Sequence, residues 1–123
     1  MTNQEIGKIG EDAAVNLLIE KGYKILERNY RTSHLEVDII AHKDDVVAFV
    51  EVKTRAVSYM VSPQDAVNYR KQSYIANAAN SYMRRFNRTE EARLDVITVL
   101  HKNGTIVEVE HIENAYYPRL RTY

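Results

Sequence analysis

Apolar and polar residues follow two different periods along the chain, and the period separates predicted helices from predicted strands. In the first 21 residues, apolar side chains recur every three or four positions, which is typical of an amphipathic helix. Asn3 or Thr2 is placed to cap the start of this helix, and Gly22 is placed to end it. We expect one apolar stripe to pack on a sheet: Ile6, Ile9, Gly10, Ala13 and Leu17.

Three segments rich in branched apolar residues come next and are predicted to be strands. They cover residues 23–31, 35–42 and 46–53. The short polar segment Lys43-Asp44-Asp45 separates the last two segments. We therefore expect these two strands to form an antiparallel hairpin.

A second helix is predicted to start at Ser62-Pro63-Gln64-Asp65, where Ser62 can cap and Pro63 suits the first helical position. The apolar period continues to about residue 86. It predicts one buried stripe, made of Ile75, Ala78, Ala79, Tyr82 and Phe86.

The last two predicted strands are residues 93–101 and 105–112, and Asn103-Gly104 between them is a strong hairpin turn signal. The predicted order is therefore helix, three strands, helix, two strands. This order favours an α/β fold in which helices flank a mixed sheet.

Length and composition limit the class of protein. A chain of 123 residues, 45% of them apolar, favours one domain, 1–123, with a C-terminal tail from about residue 114. The absence of cysteine excludes disulfides and thiolate metal sites. We find no apolar segment long enough to span a bilayer and no apolar signal segment, so we expect a cytoplasmic protein without membrane contact.

The charge balance limits how the chain can contact nucleic acid. Seventeen basic and seventeen acidic residues give a formal net charge of zero, whereas proteins that coat nucleic acid are usually clearly basic. Any such contact must therefore be local. Basic residues do cluster, although each cluster is individually typical of a solvated surface: Lys53 with Arg55, Arg70 with Lys71, Arg84 with Arg85 and Arg88, and Arg119 with Arg121.

Charged residues interrupt two of the predicted strands. Asp38 lies within Val37-Asp38-Ile39-Ile40, and Glu51 lies within Phe49-Val50-Glu51-Val52 with Lys53 after it. An ionised group in an apolar strand is costly unless it is paired or bound to a metal. Because side chains alternate across a strand, Glu51 and Lys53 share one face, and the hairpin can bring Asp38 beside them.

Two neighbouring carboxylates repel each other, and a divalent cation removes that conflict. Hard oxygen ligands suit Mg²⁺ or Mn²⁺, and such an ion can polarise a phosphoryl oxygen and lower the pKa of a water molecule. Lys53 would supply a fixed positive charge next to the ion. The alternative is a buried ion pair in which Lys53 only neutralises Glu51 or Asp38.

The spacing of these residues also resembles a known motif. Asp38, twelve further residues and then Glu51-Val52-Lys53 are similar to the PD-(D/E)XK motif of the restriction-endonuclease-like superfamily. The wider sequence resembles the YraN family of predicted nucleases, which is similar to Holliday-junction resolvases. This resemblance spans about residues 6–115 and is carried by residues 9–14, 22–26, 28–31, 36–40, 49–55, 62–67 and 71–72.

The resemblance implies a restriction-endonuclease-like mixed sheet flanked by helices. It implies that Asp38 and Glu51 are metal ligands for Mg²⁺ or Mn²⁺, that Lys53 is the catalytic lysine, and that Glu11 is an additional acidic residue near the metal. The alternative for Glu11 is an ordinary surface glutamate near a helix N-terminus. The resemblance also implies a nucleic-acid partner, DNA in preference to structured RNA, and it leaves a homodimer open, because resolvase-like relatives often act as dimers.

Further residues are candidates for substrate contact. By helical angle, Lys71 and Gln72 fall toward the face that carries Ile75, so we expect a polar cleft there; the alternative is a lysine that extends into solvent. Arg55, beside Lys53, is a third candidate. One departure is Leu35, where the family usually has glycine, and a leucine there is expected to change the loop that enters the strand.

Three functions fit this pattern. The first is metal-dependent phosphodiester hydrolysis by a DNA endonuclease. The second is a nucleic-acid-binding module with a nuclease-like fold and no cleavage. The third is an adaptor that binds a protein through the tyrosine-rich C-terminal tail. We assign no catalytic role to Asp95, which we expect to pair with Arg93 or a basic group on a helix, nor to the histidines, whose spacing does not suit metal binding.

Overall fold

The described part of the chain has the predicted order of elements, α-β-β-β-α-β-β. A computed structural model describes residues 1–33, 35–58 and 69–115. The predicted start of the second helix at Ser62-Pro63-Gln64-Asp65 and most of the C-terminal tail lie outside these ranges. The elements are α1 Asn3–Glu20, β1 Lys24–Arg31, β2 Glu36–Lys43, β3 Val46–Ala56, α2 Tyr69–Arg85, β4 Glu91–Lys102 and β5 Thr105–Ile112.

The five strands form one mixed sheet with the order β1-β2-β3-β4-β5. β3 and β4 are parallel, whereas the other neighbouring pairs are antiparallel. The predicted hairpin of β2 and β3 is confirmed, and Asp44 adopts a positive φ of 52° at its turn. The parallel pair requires a crossover connection, and α2 lies in it.

Helix α1 begins and ends at the predicted positions, but its buried stripe differs from the prediction. Thr2, rather than Asn3, is the cap: its side chain accepts a hydrogen bond from the N–H of Glu5, and the Glu5 side chain accepts one from the N–H of Thr2. After the helix, Gly22 has φ +93°, a conformation that favours glycine. The buried residues are Gly10, Ala14, Val15 and Leu18, whereas Ile6, Ile9, Ala13 and Leu17 are half-buried beside them.

The two helices cover opposite faces of the sheet. Val50 belongs to the α1-side core, which includes Ala14, Leu18, Ile39, Ile97 and Val99. Phe49, the preceding residue, belongs to the α2-side core, which includes Val37, Ile40, Ile75, Ala79, Tyr82 and Val96. The predicted stripe of α2 is confirmed except for Phe86, which is 44% exposed because it lies beyond the end of the helix.

The strands β2 and β3 diverge where the charged residues lie. Their register runs from Lys43 opposite Val46 to Ile39 opposite Val50. Val37 and Ile40 both contact the α2-side core while Ile39 contacts the α1-side core, so the simple alternation of β2 is broken at Asp38. On β3, Glu51 and Lys53 follow the alternation of Phe49 and lie on the α2 face.

Candidate active site

Asp38 lies where β2 and β3 diverge, beyond the last pair of the register, Ile39 opposite Val50. Its side chain, rather than a backbone carbonyl of β2, accepts the next hydrogen bond from β3. Its Oδ2 atom accepts a hydrogen bond of 2.8 Å from the backbone N–H of Val52. Burial, reinforced by the negative charges of Glu51 and Glu11, raises the pKa of Asp38 to about 7, although the Val52 N–H and the charge of Lys71 oppose the rise. Asp38 is therefore an acid whose negative charge is not fully compensated.

Glu51 is held between two lysines. Its side chain is buried, with the residue 7% exposed, and its Oε1 atom lies 3.4 Å from the Nζ atom of Lys53. The Nζ atom of Lys71, from α2, lies 2.6 Å from the same oxygen. Glu51 thus contacts Lys53 on the shared face of β3, and its charge acts on Asp38. Lys71 contacts Glu51 instead of extending into solvent.

Lys53 is a partly buried amine in this cluster. Burial lowers the pKa of Lys53, with further lowering from the charges of Lys71 and Arg55, while Glu51 opposes the shift. The contact between Lys53 and Glu51 also agrees with the alternative interpretation, a structural ion pair. The two interpretations differ in whether Asp38 is neutralised by the protein itself, and Asp95, a fully buried acid of the same sheet, is the comparison.

Asp95 shows how a structural acid in this fold is satisfied. It is 0% exposed, and its carboxylate accepts hydrogen bonds from Arg93 Nε at 2.9 Å and the Asn114 N–H at 3.1 Å, and contacts His111 Nε2 at 2.7 Å. Burial alone would raise the pKa of Asp95, but the hydrogen bonds from His111 and Arg93 hold it below its ordinary value. The expected pairing with Arg93 is confirmed. Asp38 is compensated less, because the Val52 N–H and the charge of Lys71 do not overcome the effect of burial on its pKa.

Glu11 faces the same region from α1. It lines a cleft of about 990 Å³ together with Glu36 and Asp38, and its charge contributes to the raised pKa of Asp38. Arg28 of β1 holds it in place, with Nη2 3.3 Å from Glu11 Oε1 and 2.7 Å from Asp12 Oδ1. The sequence alone does not predict this role of Arg28, because residues 11 and 28 are brought together only by the packing of α1 on β1.

The other substrate-contact candidates lie near the site. Gln72 follows Lys71 on α2 and is half-buried. The guanidinium of Arg55 donates a hydrogen bond of 3.0 Å to the carbonyl of Thr54. The positive charge of Arg55 contributes to the lowered pKa of Lys53. Leu35, in place of the family glycine, packs against the α2-side core, and its carbonyl accepts a 2.8 Å bond from the Thr32 N–H.

The residues present fit a divalent cation that brings its own water. Asp38 and Glu51 offer hard carboxylate oxygens, and Mg²⁺ is commonly held by one or two carboxylates while it keeps several waters. Within residues 1–33, 35–58 and 69–115, no three histidine, aspartate or glutamate side chains are grouped so that they could hold a metal ion together. Water and substrate oxygens would therefore have to complete the coordination. The uncompensated charge of Asp38 is the feature of the site that a cation would relieve.

The structure defines a mixed α/β protein in which two helices flank a five-stranded sheet and acids and lysines meet where two strands diverge. Residues 10–99 match the Uncharacterised protein family UPF0102, and the chain belongs to this family. The expected membership of the YraN family is thereby confirmed.

Relatives from several bacteria match almost the whole chain. A UPF0102 protein of Bacteroides thetaiotaomicron is 42% identical over 96% of this chain and 97% of its own length. One from Trichlorobacter lovleyi is 45% identical over 93% of this chain and 91% of its own. One from Dictyoglomus turgidum is 41% identical, covering 94% of this chain and all of its own length.

Neither α1 nor α2 is long and apolar enough to cross a membrane. The cytoplasmic location, the single domain and the homodimer stay predictions.

Proposed function

We propose that this protein is a metal-dependent nuclease that hydrolyses phosphodiester bonds in nucleic acid, DNA rather than RNA. The observation that carries the proposal is the meeting of acids and lysines where β2 and β3 diverge: Glu51 Oε1 lies 3.4 Å from Lys53 Nζ and 2.6 Å from Lys71 Nζ. The charge of Glu51 also helps to raise the pKa of the half-buried Asp38. Clefts that hold acids with strongly raised pKa values and specific charged neighbours are characteristic of functional sites.

Each residue of the cluster has a chemical role in this proposal. Asp38 and Glu51 would hold Mg²⁺ or Mn²⁺, which when bound polarises a phosphoryl oxygen and lowers the pKa of a water molecule. Lys53 is fixed by Glu51 at 3.4 Å and would present its amine to the attacking water or to the phosphate. Arg55 and Gln72 would contact the substrate, and Glu11 would add negative charge to the cleft that faces Asp38.

A cleavage assay with matched variants tests the proposal. Purified protein is incubated with end-labelled linear duplex, single-stranded and four-way-junction DNA, in Mg²⁺, in Mn²⁺ and in EDTA. The variants are Asp38→Asn, Glu51→Gln and Lys53→Met, and the control is Glu108→Gln on the exposed side of β5. We expect cleavage by the wild type and the control in the presence of metal, and a loss of about 100-fold or more in each site variant.

Two results would contradict the proposal. The first is equal cleavage by site variants and control, which would indicate a contaminating nuclease. The second is the absence of cleavage of every substrate with either metal. Nucleic-acid binding without cleavage would instead support the non-catalytic module.

One observation favours that module as the second candidate. Lys71 already supplies Glu51 with a cation at 2.6 Å, so the site is partly neutralised by the protein itself. The adaptor alternative concerns the C-terminal tail, most of which lies outside the described residues, and it stays a prediction.

A further inference from the structure

The two helices of the described chain differ sharply in charge, although the whole sequence is neutral. α1 carries four acidic residues, Glu5, Glu11, Asp12 and Glu20, and one base, Lys8. α2 carries four basic residues, Arg70, Lys71, Arg84 and Arg85, and no acidic residue. Because the helices cover opposite faces of the sheet, one face of the described structure is acidic at its helix and the other is basic.

The exposed side of α2 is continuous and polar along the length of the helix. Arg70, Tyr74, Asn77, Ser81 and Arg84 are all exposed, and their spacing of four and three residues places them on one line. At 1.5 Å per residue, the line from Arg70 to Arg84 is about 21 Å long, which is roughly the length of six nucleotides of a DNA strand. Arginine, amide and hydroxyl groups are the side chains that commonly contact phosphates and sugars.

This exposed side is joined to the candidate active site at its N-terminal end. Lys71 follows Arg70 directly, and its ammonium reaches inward to Glu51 at 2.6 Å. The exposed line of α2 therefore begins one residue before the lysine that contacts Glu51.

The α1 side of the site carries acids that would hold a metal and offers few bases to a phosphate backbone. The cleft beneath α1 is lined by Glu5, Glu11, Glu36 and Asp38, against two basic residues, Lys8 and Arg28. Arg28 is already engaged by Glu11 and Asp12. Like charges at this wall would repel a polyanion.

We propose that the exposed side of α2, from Arg70 to Arg84, is the surface on which the nucleic-acid backbone binds, and that the exposed bases of α1 and β1, Lys8 and Arg31, take no part in this contact. The inference rests on the proposed function for the identity of the polyanion. In this assignment α2 gives a protein of zero net charge a local basic surface for the nucleic acid.

Binding measurements test the inference separately from cleavage. A fluorescein-labelled 20-base-pair duplex is titrated by fluorescence anisotropy at several salt concentrations in Mg²⁺, with Asp38→Asn as the parent protein so that the duplex is not cut. The test variant adds Arg70→Ala and Arg84→Ala. The matched controls add Lys8→Ala on α1 or Arg31→Ala on β1, which remove exposed positive charges elsewhere.

The logarithm of the binding constant falls linearly with the logarithm of the salt concentration, and we expect the double variant to make this slope smaller by about 2, one for each lost phosphate contact. It should also weaken binding about tenfold at low salt. The controls are expected to retain the slope of the parent. Arg70→Glu with Arg84→Glu should weaken binding further, and circular dichroism shows whether each variant is folded. Binding equal to the parent in the double variant, or an equal loss with Lys8→Ala, would overturn the inference.

The two proposals fail in different ways. If the wild type cuts no substrate but the α2 variants lose binding, the nuclease proposal is wrong and the α2 surface stands. If cleavage depends on Asp38 but the α2 variants bind like the parent, the nuclease proposal stands and the α2 surface is wrong. If the parent binds no duplex at all, the α2 surface is wrong, and the cleavage assay alone decides the nuclease proposal.

Discussion

The Nζ atom of Lys71 lies 2.6 Å from the Oε1 atom of Glu51, which ties helix α2 to strand β3 across twenty residues of sequence. Lys53 approaches the same oxygen at 3.4 Å. A divalent cation bound by Glu51 would need the electron pairs that these ammonium groups now use. At the proposed metal site Lys71 would therefore compete with the metal for Glu51, and its removal should change stability and metal response together.

We expect Lys71→Met to lower the free energy of unfolding in EDTA by about 1–2 kcal/mol. The loss is smaller than the 3–5 kcal/mol typical of a broken buried pair, because Lys71 is about one-third exposed and Lys53 remains beside Glu51. Mn²⁺ should raise the melting temperature of this variant more than that of the wild type, since it replaces a missing charge. Thermal unfolding with and without Mn²⁺ measures both effects.

Arg70→Met is the matched control, because it removes the same charge from the exposed neighbouring position of α2. It should leave stability and the Mn²⁺ response close to those of the wild type. An equal Mn²⁺ shift in Lys71→Met and the wild type would show that Lys71 does not compete with the metal.

The raised pKa of Asp38 predicts a specific dependence of stability on pH. The folded state holds a proton on Asp38 up to about pH 7, whereas the unfolded state releases it near the ordinary value of 3.8. Between these values the folded state binds more protons, so this group's contribution to stability is full below about pH 4 and is lost as the pH rises to about 7. The loss is on the order of a few kcal/mol.

Asp38→Asn should remove this dependence. In EDTA at pH 8, we expect the variant to be as stable as the wild type or more stable, whereas near pH 4 the two should differ little. Urea unfolding between pH 4 and 8 measures the difference. A variant that is clearly less stable than the wild type at pH 8 would favour a structural ion pair over an uncompensated acid.

Asp95→Asn is the contrasting control, because the pKa of Asp95 is lowered by His111 and Arg93. Its stabilising effect is present above about pH 4 and is lost as the pH falls through the lowered value. This variant should therefore be less stable than the wild type at neutral pH, the opposite sign to Asp38→Asn.

The parts of the fold that depend on local sequence could be predicted. The polar residues Lys43-Asp44-Asp45 and Asn103-Gly104 mark both hairpins, and Thr2 with Glu5 forms a local cap. Asp38 and Glu51 were identified because they are charged residues within apolar strands, and that anomaly is visible without any tertiary information.

The parts that depend on tertiary packing could not be predicted. The stripe of α1 that is buried depends on where the helix crosses β3, which the apolar period alone does not specify. The partners of the site, Arg28 for Glu11 and Lys71 for Glu51, come from other elements of the fold. The contact between the side chains of His111 and Asp95 likewise depends on the pairing of β4 with β5.

Two glycines of α1 differ in what surrounds them, and this difference can be measured. A Cβ atom at Gly10 would overlap the side chain of Thr54, which follows Lys53 on β3. A Cβ atom at Gly7, one helical turn earlier, would meet nothing within 4 Å. Glycine within a helix costs about 1 kcal/mol relative to alanine. At Gly10 the close approach of α1 to β3 explains why a residue without a Cβ atom is present, whereas nothing near Gly7 explains the glycine there.

Gly10→Ala should therefore destabilise the protein by about 1–2 kcal/mol, because the gain in helix propensity is smaller than the cost of overpacking against Thr54. Gly7→Ala should stabilise it by up to about 1 kcal/mol, with a rise in melting temperature of about 3–5 °C. Thermal and urea unfolding measure both changes. Adding Thr54→Ala to Gly10→Ala should recover part of the loss, since the two side chains are in direct contact. If both glycine variants were stabilising, α1 would not be held against β3 at this point, and Glu11 would not be fixed at the cleft.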